Sequence, residues 1–194
     1  LGETLLAGIG QGYVLSTPLQ LAVMMARLIN GGVAVEPYVT HDLVDWESTL
    51  QRPEPVFPSL GVSSASLAIV KKGMDAVTNT PLGTAFRARI QEKGKEMGGK
   101  TGTSQVRRIS KWERESGVLK NRQRPWKERD HALFVGYAPY QNPRFAVSVV
   151  VEHGGGGSKV AAPVGRDILL ETQHRIEEEG ATTTAGNAIA RRDG

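Results

Sequence analysis

Nine consecutive residues, Gly98-Gly99-Lys100-Thr101-Gly102-Thr103-Ser104-Gln105-Val106, constrain this chain more than any other stretch. They bring a cation, three glycines and the hydroxyls of Thr101, Thr103 and Ser104 onto one short backbone, a density of polar function that suits a ligand site. The Thr and Val content from Lys100 to Val106 predicts a strand with no helix start behind it. Alternation along that strand puts Lys100 and Gly102 on one face and Thr101 and Thr103 on the other. A glycine on such a strand lets a ligand's backbone lie close.

Two motifs compete for these residues. Gly94, four intervening residues, then Gly99-Lys100-Thr101 satisfy the phosphate-loop pattern G-x-x-x-x-G-K-[ST]. That mechanism needs a buried strand before the loop and a helix after it, so that backbone N–H groups converge on the phosphates. The order here is reversed: Phe86 to Met97 reads as a polar helix capped by Thr84 and broken at Gly94, and a strand follows. A nucleotide site is therefore the remote alternative. In the other reading Lys100-Thr101-Gly102 forms one wall of an acyl-transfer site. This box resembles the third signature motif of the penicillin-binding proteins and serine β-lactamases, whose sites also use S-x-x-K and S-x-N or S-D-N.

With 194 residues, 39% of them hydrophobic, the chain is long enough for one substantial core. No run of about eighteen apolar residues is present to span a membrane. The absence of cysteine excludes disulfides and thiolate metal sites, and neither a metal nor a cofactor is expected. The start at Leu1, without methionine or signal peptide, reads as a cut inside a longer protein. The net charge of +4 is concentrated: residues 107–130 hold nine Lys or Arg against four acids. A solvated loop near anionic lipid or cell-wall polymer accounts for this basic insert as well as nucleic acid does, so no nucleic-acid partner is expected.

Along the chain, residues 7–12 form a glycine-rich turn. Thr17 then caps a helix that has Pro18 at its first position, carries Leu21, Met24, Met25, Leu28 and Ile29 on its apolar side and stops at Gly31. A short extended run over 33–38 leads into a connection punctuated by Pro53, Pro55 and Pro58, which exclude a central strand or helix there. A second helix covers roughly 63–79, with Leu67, Val70, Met74 and Val77 at helical spacing. His131 to Tyr137 and Phe145 to Glu152 are strands joined by a Pro/Asn loop, which predicts a hairpin and a sheet that is at least partly antiparallel. His153 to Gly156 matches the H-G-G-G of esterase oxyanion loops, but no serine lies two residues from a glycine on each side, so a tight strand-to-helix turn is the better reading. Val160, Val164, Ile168, Leu169 and Ile176 mark a closing helix over 160–178, and 179–194 has the composition of a disordered tail.

Five segments together extend the resemblance. Gly8-Ile-Gly-Gln-Gly-Tyr with Thr17-Pro-Leu-Gln, Gly83-Thr-Ala, Gly99-Lys-Thr-Gly-Thr-Ser-Gln, His131-Ala-Leu-Phe-Val-Gly-Tyr-Ala-Pro and Val151-Glu-His-Gly-Gly-Gly-Gly occur in the order and approximate spacing of the class B penicillin-binding proteins, nearest the elongation type. The resemblance covers residues 2 to about 172. It implies an α/β (α+β) architecture, a partial penicillin-binding transpeptidase or serine β-lactamase-like fold with an antiparallel sheet covered by helices. Residues 1–178 would be the C-terminal portion of that domain.

The activity implied is a D,D-transpeptidase that joins peptidoglycan stem peptides ending in D-Ala-D-Ala and is trapped by β-lactam antibiotics. Its implied setting is the periplasmic face of the bacterial inner membrane, with the upstream half of the same domain and membrane proteins of the elongation complex as partners. By this likeness Lys100 supplies positive charge near the substrate carboxylate, Thr101 helps hold that carboxylate, and the Thr103 backbone N–H is half of an oxyanion hole. Gly102 and Ser104 complete the substrate wall. No lysine here has serine three residues upstream and no asparagine has serine two upstream, so neither S-x-x-K nor S-x-N is present and the chain holds no nucleophile. A binding or scaffolding module without catalysis is the alternative.

Overall fold

The computed structural model describes residues 2–8, 10–12, 14–37 and 59–190, the last twelve of these by backbone alone. In chain order the described elements are α1 (Gly2–Gly8), α2 (Pro18–Ile29), α3 (Ser64–Asn79), β1 (Gly98–Ser104), α4 (Lys111–Ser116), β2 (His131–Ala138), β3 (Phe145–Val151) and α5 (Ala161–Ala190). Single 3-10 turns lie at Phe86–Ala88, Asn121–Gln123 and Trp126–Glu128. The proline-punctuated connection through Pro53, Pro55 and Pro58 lies outside the described residues.

The two apolar runs pair as the expected antiparallel hairpin, β2 with β3. β1 adds to the other side of β2, also antiparallel, to give the sheet order β1-β2-β3. Cross-strand partners share a face, so the register sorts the core. Ala132, Phe134 and Ala138 of β2 join Val147 and Val149 of β3 beneath Ala161, Ala162 and Leu169 of α5. On the opposite face Tyr137 packs with Met25 of α2 and Met74 of α3. The result is an α+β layer structure with helices on both faces of an antiparallel sheet. No helix among the described residues is long and apolar enough to cross a membrane.

Local chemistry accounts for most element boundaries. Thr17 accepts from the Gln20 N–H while the Gln20 side chain accepts from the Thr17 N–H, a capping box with Pro18 at the first helical position. Ser63 caps α3 in the same manner, accepting from the Ser66 N–H. Four expectations need correction. The helix expected over 86–97 is only the Phe86–Ala88 turn, because Arg89 is extended and Ile90 and Met97 are drawn into the core as separate anchors. Thr84 does not cap that turn, since its hydroxyl bonds elsewhere. Val70 is exposed, and the buried stripe of α3 runs instead through Leu67, Met74 and Thr78. On α5, Val164 and Ile168 face outward and the buried stripe is Ala161, Ala162, Gly165, Leu169 and Gln173.

That small-residue stripe has a steric cause: a Cβ at Gly165 would lie 2.5 Å from the Phe134 ring, so the helix can approach β2 only without one. Gly157, in the turn before α5, is tighter still. A Cβ there would meet the Gly102 and Leu133 carbonyls, so the glycine run lets the chain lie directly on the β1–β2 backbone. This is the strand-to-helix turn expected from the glycines. Helix α1 has no counterpart in the sequence-based expectations, and α5 continues to Ala190, beyond the 160–178 expected.

The basic insert is more structured than a plain loop. Ser110 and Glu113 form a capping box that starts α4, Gly117 at φ +110° ends it, and Arg107 grips Glu113 through two nitrogens, at 2.6 and 3.1 Å. Further along, Arg124 and Asp130 are buried 3.5 Å apart, and Asn121 binds Asp130 through both ends of its amide. Arg107 first, and the Ser110 N–H second, hold the Glu113 carboxyl down at about 2. A carboxylate whose pKa falls on folding stabilises above its ordinary value and stops doing so as the pH drops through the folded value. The Arg107–Glu113 clamp is therefore expected to stay intact from neutral pH down past 4.5 and to open as the pH falls through about 2. An NMR titration of the Glu113 carboxyl checks this, and a midpoint at or above 4.5 would show the clamp is not formed.

Candidate active site

Among the described strands β1 lies at the sheet edge, and its two sides differ. Thr103 O accepts from the Gln11 side-chain amide at 3.2 Å, so Thr103 faces the open edge and not β2. In an antiparallel strand the N–H and C=O of one residue point to the same side and alternate residues share that side. The N–H groups of Thr101 and Thr103 are therefore directed to the open edge, while Gly98, Lys100, Gly102 and Ser104 bond into the ladder with Tyr137, Val135, Leu133 and His131. This polarity follows from one side-chain contact across 92 residues of sequence.

Side chains converge on the same edge. The Lys100 ammonium curls onto the Thr101 carbonyl at 2.7 Å, and among the described residues no carboxylate pairs with it. The hydroxyls of Thr101 and Thr84 lie 2.9 Å apart, so whichever donates in that pair, the other's hydrogen is free for a ligand. Gly102 shares the Lys100 face, where a Cβ would only graze Leu133 at 3.4 Å and the side toward solvent is open. Ser104 closes the strand beside His131, whose Nδ1 accepts from the His153 N–H at 2.9 Å. The five residues singled out from sequence thus occupy one strand, with a cation, hydroxyls and outward N–H groups along a single open edge.

The strand is held rigidly from behind. A Cβ at Gly99 would lie 2.5 Å from the Phe134 ring, and one at Gly98 would lie 2.7 Å from the Tyr137 ring, so both positions require glycine. Burial pushes the Tyr137 hydroxyl's pKa up. Just before the strand, the Met97 carbonyl accepts from the buried Thr78 hydroxyl at 2.7 Å and from the Asn79 amide at 2.9 Å, tying the end of α3 to the start of β1. Gly83 allows the next turn: a Cβ there would overlap the Val77 and Ala76 carbonyls. That turn aims Thr84 at Thr101.

Sequence reasoning missed Gln11 and Thr84 as site residues, although both lie in segments that carry the family resemblance. The phosphate-loop alternative fails on geometry. Gly94 turns at φ +85° before the strand, Lys100 lies within it, and the next helix, α4, starts only at Lys111.

Comparison with known proteins gives the family of the chain. Residues 2–170 match the family model described as the penicillin binding protein transpeptidase domain. The peptidoglycan D,D-transpeptidase MrdA of Haemophilus influenzae is 35% identical over 175 residues, which is 87% of this chain and 25% of that protein. The D,D-transpeptidase PbpA of Mycolicibacterium smegmatis is 32% identical over 83% of this chain and 30% of its own length. Among solved structures, Pseudomonas aeruginosa PBP2 in complex with WCK 5153 superposes with a TM-score of 0.67 at 38% identity, covering 87% of this chain and 32% of that one. Helicobacter pylori PBP2, solved in complex with MreC, gives 0.65 at 26% identity over 90% and 28%. The chain thus spans about a quarter of the curated MrdA relatives it matches.

Proposed function

The chain belongs to the penicillin-binding protein transpeptidase family, and from that premise we propose that it supplies the K-T-G wall of a peptidoglycan D,D-transpeptidase of the PBP2/MrdA type. The observation that carries the reading is the convergence of Lys100 Nζ, the Thr84–Thr101 hydroxyl pair and the outward N–H of Thr103 on one open strand edge. The substrate is a stem peptide ending in D-Ala-D-Ala, lying along β1 as an added strand. Lys100 and Thr101 hold its terminal carboxylate, Gly102 and Ser104 line its path, and the Thr103 N–H meets the scissile carbonyl oxygen.

The nucleophilic serine comes from residues outside this chain. Its hydroxyl oxygen bonds to the penultimate D-Ala carbonyl carbon, negative charge moves to the oxygen facing the Thr103 N–H, the C–N bond breaks, and D-Ala leaves with the proton. An amine of a second stem then displaces the serine from the acyl-enzyme. A positioned donor at a developing oxyanion is among the largest single contributions to such a step. The setting this reading carries is the periplasmic face of the inner membrane, with elongation-complex membrane proteins of the MreC kind as partners.

The test is covalent labelling. The full-length protein incubated with a fluorescent penicillin is expected to give a band that survives denaturing electrophoresis. The 194-residue chain alone is expected to give none, because trapping needs the serine and its lysine. A full-length protein that takes no label would overturn the catalytic reading.

A further inference from the structure

The insert and the glycine turn enclose a second cleft, of about 470 Å³, whose walls carry Lys120, Arg122, Arg129 and Lys159 and whose floor is Gly154–Gly156. We propose that this cleft is an anion site for a phosphate-type group, a monoester, diester or diphosphate, distinct from the open edge of β1. No carboxylate is among the residues that line it. Asp130, whose carbonyl holds the cleft floor, is already satisfied as an acid: it is buried against Arg124 and accepts from the Asn121 amide at 2.9 Å. Four cations on one concave surface repel each other, and a multivalent anion relieves that repulsion.

The cleft is also built and not merely charged. The Gly155 N–H donates to the Asp130 carbonyl at 2.8 Å, joining floor to wall. Arg129 Nε donates to the Arg124 carbonyl at 3.1 Å, and the Arg129 carbonyl accepts from His153 Nδ1 at 2.9 Å, which fixes the arginine's stem. A Cβ added at Gly156 meets nothing within 4 Å, so the floor is open to a bulky tetrahedral group. Phosphate fits better than a carboxylate on two counts. It carries up to two charges near neutral pH, and arginine forks bind its oxygens in pairs. The proposal does not rest on the transpeptidase reading, because none of the four cations belongs to the β1 edge.

The experiment titrates the full-length protein with inorganic pyrophosphate and, separately, with dihexanoyl phosphatidylglycerol below its micelle concentration. Calorimetry and tryptophan fluorescence report binding, since Trp126 packs edge-on to His153 beside the cleft. Arg122→Glu with Lys159→Glu, both exposed positions, is expected to weaken binding by about 10- to 100-fold for each cation removed. Lys127→Glu, which does not line the cleft, is expected to leave binding unchanged. Pyrophosphate binding abolished in the double variant supports the proposal with a soluble phosphate as source, and phosphatidylglycerol binding abolished in it supports a lipid headgroup. No binding of either probe, or binding that the double variant leaves unchanged, overturns it. Should the double variant melt early, Arg122→Gln with Lys159→Gln gives the same comparison without charge reversal. Penicillin labelling is expected to persist in every one of these variants, so a failure here is separable from a failure of the transpeptidase reading.

Discussion

Replacing Lys100 with alanine in the full-length protein is expected to slow acylation by a fluorescent penicillin by about 100- to 1000-fold, the range for losing one preorganised electrostatic group. The reason lies in what the ammonium does not touch. Its bond is to a neutral carbonyl, that of Thr101, so its whole charge remains available at the open edge. Lys95 is the control. It lies inside the literal phosphate-loop match, yet it is held 2.7 Å from both Glu92 and Glu177, and those carboxylates raise its affinity for its proton. Lys95→Ala gives up two ion pairs away from the β1 edge, which contribute little at a solvated surface, and is expected to leave acylation unchanged. Stopped-flow labelling of the two variants decides the matter: equal losses would mean that Lys100 has no special place at the site.

What the sequence made legible follows the range of the interactions involved. The cap at Thr17, the second helix over roughly 63–79 and the hairpin between His131 and Val151 are set by residues close in sequence, and each appears as expected. The K-T-G strand was legible too, displaced by two residues toward Gly98. The inner stripe of α5 was not. Hydrophobic periodicity is dominated by large apolar side chains, whereas the helix here buries Ala161, Ala162 and Gly165 against the core, and the missing Cβ of Gly165 is what leaves space for Phe134. The 86–97 segment misled for a related reason. Its helix-forming composition is local, but Ile90 and Met97 are claimed by a core assembled from distant strands, and tertiary packing overrides propensity.

The site shows the same division. Lys100, Thr101, Gly102, Thr103 and Ser104 were identified because they are contiguous. The contacts that orient them, Gln11 to Thr103 and Thr84 to Thr101, span 92 and 17 residues and leave no mark in spacing. Only the five-segment resemblance pointed to those regions, and it attached no role to either side chain.

Thr103→Pro tests the orientation of that edge directly. Proline deletes one backbone N–H, and the consequence depends on where the N–H points. Were it bonded to β2, its loss would break the ladder and the fold would suffer. Because the Thr103 carbonyl is taken by Gln11, the N–H lies on the open side, and an edge strand accepts proline there. The preceding residue, Gly102, is already in a strand, the conformation that a following proline favours. The full-length variant is therefore expected to melt close to the parent while its acylation falls by about 100- to 1000-fold, equivalent to about 2.7–4 kcal/mol of lost oxyanion stabilisation. Thr103→Ala, which keeps the N–H and removes only the hydroxyl, is expected to retain most of the rate. A thermal melt and a labelling time course on the two variants separate the possibilities. A large drop in melting temperature for Thr103→Pro would place the N–H in the ladder, and equal rates for the two variants would remove the Thr103 N–H from the oxyanion hole.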